Sequence, residues 1–79
     1  MSLLNLFNRH DHAEARLEMI TKYADDTFVE KYDFTLNDGT NFSLNSLKEF
    51  THEKLMKTIV KTDRVTVHLI NNQSTTIQL

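Results

Sequence analysis

The chain of 79 residues contains one glycine and no proline, and the glycine falls at Gly39, within Leu36-Asn37-Asp38-Gly39-Thr40-Asn41. A tight hairpin needs positive φ at its centre, and glycine reaches it without the clash a Cβ would bring. The flanking segments fit that reading. From Thr27 the side chains alternate, with Phe28, Glu30, Tyr32, Phe34 and Leu36 on one face and Val29, Lys31, Asp33 and Thr35 on the other. After the turn, Thr40 to Leu44 brings Phe42 and Leu44 to the core side, opposite the row of Tyr32, Phe34 and Leu36.

Helical spacing precedes this hairpin. Ala13, Leu17, Ile20 and Ala24 recur at i, i+4, i+7 and i+11, with Met19 and Tyr23 widening the stripe and Glu14, Arg16, Glu18 and Lys22 around it. Asn8 is a suitable N-cap, with Asp11 in the first turn, which places the helix at about residues 9 to 24. A second helix is expected from Asn45 or Ser46 to Lys61. Ser46-Leu47-Lys48-Glu49 has capping-box spacing, Leu47, Phe50, Leu55, Met56 and Ile59 line one side, and Lys57 and Lys61 suit the C-terminal end. Arg64 to Ile70 and Thr75 to Leu79 then form a second hairpin around Asn71-Asn72-Gln73-Ser74.

The order α-β-β-α-β-β makes this an α+β chain. Each hairpin alone is marginal and each helix has one apolar face to cover. A four-stranded antiparallel sheet with two helices packed on one face satisfies both needs. Chain order alone leaves open whether the two hairpins join as one sheet. At this length residues 1–79 form a single small domain.

Composition removes several function classes. The absence of cysteine excludes disulfides, thiolate catalysis and sulfur-ligated metals, and makes the reducing cytoplasm the expected compartment. No apolar run is long enough for a bilayer. The N-terminus MSLLNLFNRHDH lacks the basic lead-in and cleavage site of a signal peptide. A formal charge of -2 gives no overall attraction to polyanions.

No motif specifies a reaction. His52-Glu53-Lys54-Leu55-Met56 begins like the zinc-protease HExxH but carries Met56 where the second histidine is required. His10 and Glu14 share a helical face, yet two ligands do not make a metal site, and His12 projects to another side. We therefore expect no metal, no cofactor and no catalytic residues. Solvated histidines at a polar helix start account for the cluster.

Charge is unevenly divided. Residues 8–33 carry seven acids against four bases, whereas residues 48–68 carry five bases against three acids. Glu14, Glu18, Asp25, Asp26, Glu30 and Asp33 are the candidate partner-binding residues, a surface suited to a basic protein. Lys48, Lys54, Lys57, Lys61 and Arg64 raise the alternative of a nucleic-acid-binding accessory protein working through the second helix. Interleaved Glu49, Glu53 and Asp63 oppose it, and the aromatic residues occupy core positions by periodicity rather than exposed stacking positions. Leu3, Leu4, Leu6 and Phe7 exceed what such a domain needs to bury, and the terminal strand carries no Pro, Lys or bulge to protect an open edge. With Ile77 and Leu79 they are the expected homodimer contact.

The function expected from these features is a non-enzymatic protein-protein interaction module, a small adaptor or inhibitor acting through an acidic surface. Its composition, compact and free of Cys and Pro, is similar to that of small phage and plasmid products that block host enzymes.

Overall fold

The computed structural model describes residues 2–79, with side chains from His12 onward. Helix α1 spans Ser2–Tyr23. It starts earlier than expected, so Asn8 lies inside the helix rather than capping it. No Gly or Pro interrupts residues 2–23, and a capping side chain starts a helix only where the preceding residues leave helical geometry. The expected contact through Leu3, Leu4, Leu6 and Phe7 lies outside the described side chains, as do His10 and Asp11.

Further along α1 the apolar series packs as its spacing predicts: Ala13 and Ile20 are buried, and Leu17 and Ala24 are partly buried against the core. Met19 and Tyr23 do not widen that stripe. At about 100° per residue they rotate away from it, and both are exposed.

A 3-10 turn over Asp26–Phe28 leads into strand β1, Val29–Leu36, which pairs with β2, Asn41–Leu44. Gly39 has φ +90° and its N–H donates to Leu36 O, while Leu36 N–H donates to Thr40 O. The expected register holds: Tyr32 faces Leu44, and Phe34 faces Phe42.

The first part of β1 departs from simple alternation. Val29 pairs with Leu69 but Lys31 pairs with His68, so two steps on β1 match one on the neighbouring strand and Glu30 forms a bulge. The bulge reverses the phase, burying Val29 and leaving Phe28 59% exposed. Phe28 and Glu30 therefore do not share the inward row of Tyr32 and Phe34.

The expected second helix is divided in two. Ser46 caps a 3-10 turn, Leu47–Glu49, with the capping box complete, but Phe50 and Thr51 are extended and helix α2 runs only over His52–Val60. Leaving the helix turns Phe50 inward, where its ring lies 5.9 Å from that of Phe42. Thr51 then caps α2 by accepting the Lys54 N–H, a place where a β-branched hydroxyl residue is more favourable than in a helix interior.

Strands β3, Thr62–Leu69, and β4, Ser74–Gln78, form the second hairpin. Its turn places Asn72 at φ +72°. β3 begins two residues before the expected Arg64 because Thr62 is buried and its hydroxyl donates to Thr58 O, tying the strand to the last turn of α2.

The two hairpins join through β1 and β3, giving the antiparallel order β2-β1-β3-β4 with both helices on one face. Toward the helices the rows read Leu44-Tyr32-Val67-Thr75 and Phe42-Phe34-Val65-Ile77. The outer rows read Ser43-Asp33-Thr66-Thr76 and Asn41-Thr35-Arg64-Gln78. The outer face is polar throughout these rows, as a solvated sheet face requires.

Candidate functional site

The six acidic candidates fall into different parts of the molecule. Glu14 and Glu18 lie in the helix layer, Asp33 lies on the outer sheet face, and Asp25, Asp26 and Glu30 gather where α1 gives way to β1. Glu14 Oε1 is 3.5 Å from His52 Nε2, an exposed pair. Among the described residues no three His, Cys, Asp or Glu side chains form a metal-sized group.

Asp26 is a structural tie. Its Oδ1 accepts the Tyr32 hydroxyl at 2.9 Å and the Leu47 N–H at 3.1 Å, and its Oδ2 accepts the Ser46 hydroxyl at 2.8 Å. Partial burial works to raise its pKa, but these three donors outweigh it and hold the carboxyl below its ordinary value. The same arrangement pushes Tyr32 well upward, first through burial and then through its bond to Asp26. Asp25 caps the following turn, accepting the Thr27 N–H and hydroxyl, each at 2.9 Å. Those bonds hold its carboxyl below the usual range.

On the outer face, Asp33 accepts the Ser43 hydroxyl and pairs with His68 Nε2 at 2.6 Å, linking β2, β1 and β3. The carboxylate stands between serine and histidine, so the histidine does not activate the serine as a nucleophile–base pair would. The Ser43 bond leads the effects that lower the Asp33 pKa, with partial burial opposing them and His68 adding to them.

Asp26 and Asp33 thus bind protons more weakly folded than unfolded, where the ordinary aspartate value is 3.8. As pH falls the unfolded chain takes up protons first, so their stabilisation is full above that value and is lost as pH drops through it toward the depressed folded values. Thermal melts followed by circular dichroism should show Tm steady near pH 5 and falling steeply toward pH 2.5. A flat profile over that window would contradict the role given to these carboxylates.

The lysine candidates also separate. Lys54, Lys57 and Lys61 surround a depression of about 290 Å³ floored by Leu36, Phe42 and Phe50. Lys54 Nζ lies 4.4 Å from the Phe50 ring centroid, and Lys57 pairs with Glu53 at 3.3 Å. Lys48 belongs to the 3-10 turn, and Arg64 lies in an outer row of the sheet, away from the helices. Ile77 and Leu79 are partly buried against the core of their own chain, and β4 is an edge strand.

An apolar concavity lies at the end of the sheet where β1 starts and β3 ends. Tyr23, Ala24, Asp25, Phe28, Leu69, Ile70 and Asn71 line a cleft of about 440 Å³. Phe28 and Ile70 are each 59% exposed, and Ile70 N–H donates to Phe28 O at 3.0 Å, holding the two residues side by side. The Glu30 bulge sends Phe28 outward, and the turn after β3 does the same for Ile70. The sequence-level candidates omit both residues. The available signal is the pair of adjacent apolar residues, Phe28-Val29 and Leu69-Ile70, since alternation admits only one member of each pair to the core.

No family model, no curated protein and no solved structure matches this chain.

Proposed function

We propose that this chain is a non-enzymatic protein-interaction module, a small adaptor or inhibitor, whose contact surface is the end of the sheet centred on Phe28 and Ile70. The observation that carries this reading is the exposure of these two large apolar side chains at 59% each, side by side on backbone held by a hydrogen bond. Burying such side chains contributes about 1.5–3 kcal/mol apiece, so their exposure leaves stabilisation that a partner surface can recover. Asp25 borders the cleft and Glu30 follows it on β1. This retains two of the acidic candidates and places Asp26 among the supports of the fold. No described helix is long and apolar enough to cross a membrane.

The test uses the double variant F28S/I70S. Its urea unfolding free energy should stay within about 1 kcal/mol of the parent, as is usual for substitutions at exposed positions. Affinity capture from the source cell should recover a partner with the parent and lose it with the folded variant. The same partner recovered equally by both would exclude this surface.

The convergence of Lys54, Lys57 and Lys61 on one depression supports a second reading, contact with nucleic-acid phosphates. That reading requires a gel shift at low salt that weakens steeply as salt rises and disappears in K54E/K57E. The ring of Phe50, already covered by Lys54, makes it the weaker of the two.

A further inference from the structure

We propose that the Phe28–Ile70 cleft receives a single arginine side chain of the partner protein, an inference that rests on the interaction reading above and specifies its chemistry. Asp25 is the one charged residue among the described residues that line the cleft. Both bonds from Thr27 fall on Asp25 Oδ1, so among the described residues Oδ2 is open to a further donor.

The cleft lies at the end of α1. Tyr23 and Ala24 line the cleft where the helix stops, and the last carbonyls of a helix lack the donors that close its earlier turns and carry partial negative charge. Lys22, in the last turn, and Lys48, whose charge acts on Asp25, offset part of this field. Neither enters the cleft lining.

Apart from Asp25 and Asn71 the lining is apolar and aromatic: Tyr23, Ala24, Phe28, Leu69 and Ile70. An arginine matches this combination because its methylenes pack on apolar surface, its planar guanidinium stacks on aromatic rings, and its fork of donors reaches carboxylate and carbonyl oxygens together. Lysine lacks the plane and the fork. Three other depressions among the described residues differ in charge: one between the two helices contains Lys57 paired with Glu53, one contains Arg16 with Lys61, and one contains three lysines.

Nitrogen-15 chemical-shift titration of the whole chain tests the inference with the peptide Ac-Leu-Arg-Leu-NH2 and its citrulline counterpart, which keeps the shape of arginine without its charge. The expected result is saturable shifts at Ala24, Asp25, Phe28, Leu69, Ile70 and Asn71 with the arginine peptide. Affinity should be about tenfold weaker for citrulline, in line with loss of charge-assisted hydrogen bonding. The arginine affinity should fall in D25N, which keeps a capping side chain, and the cleft shifts should vanish in F28S. Equal affinity for both peptides would overturn the arginine assignment while leaving an apolar docking site. Shifts elsewhere, or none at millimolar peptide, would also overturn it, and the capture experiment with F28S/I70S would then decide the interaction reading separately.

Discussion

Replacing Phe34 with alanine is expected to cost about 3–5 kcal/mol, the range for removing a buried aromatic ring from a packed core. Phe34 is fully buried and its ring stacks on that of Phe42, with centroids 5.0 Å apart and planes 2° from parallel. It also faces Val65 across β1 and β3, so the cavity would open where the two hairpins meet. Stability of roughly 0.05–0.15 kcal/mol per residue leaves a small domain with little beyond such a loss, and a substantial unfolded population should appear without denaturant. Phe28→Ala supplies the contrast. The same deletion six residues away on an exposed side chain should change the urea unfolding free energy by less than about 1 kcal/mol. Similar losses for the two variants would mean that the inward assignment of Phe34 and the outward assignment of Phe28 are wrong.

That contrast also marks how far the sequence determines this fold. The register of the first hairpin is legible because Gly39 fixes the turn and period-two spacing fixes which residues meet. The Ala13-Leu17-Ile20-Ala24 stripe is legible for the corresponding reason in a helix. The bulge at Glu30 is not legible in this way. Its extra residue is defined by pairing with β3, more than thirty positions away, and local alternation contains no record of that partner. Phe50 illustrates a second limit, since helix spacing assigns it to an inward face but packing against Phe42 removes it from the helix altogether. The candidate site depends on these long-range effects, because the exposure of Phe28 follows from the bulge. The acidic residues are legible as a group and not as roles: Asp25 borders the cleft, Asp26 holds two connections together, and Asp33 lies on the outer sheet face.

Asp26→Ala should cost about 2–4 kcal/mol, given that a hydrogen bond to a charged group contributes about 1.5–3 kcal/mol and the three bonds here are not additive. The carboxylate joins the 3-10 turn before β1 to the turn after β2, and its removal strands the hydroxyl of Tyr32, a side chain only 1% exposed. Much of the loss should therefore come from an unsatisfied buried group rather than from the missing charge. Tyr32→Phe removes that hydroxyl and its bond to the carboxylate and should cost about 1.5–3 kcal/mol by itself. In the double variant the orphaned donor no longer exists, so D26A/Y32F should be more stable than the sum of the single losses predicts, by about 0.5–3 kcal/mol. Urea unfolding of the four proteins measures this coupling directly. Strict additivity would show that losing Asp26 does not strand the Tyr32 hydroxyl, and a D26A loss below about 0.5 kcal/mol would show that Asp26 does not support the fold. A loss of the predicted size means that reduced partner binding by D26A would report unfolding as readily as contact, so variants probing the interaction should alter Asp25, Glu30, Phe28 and Ile70 instead.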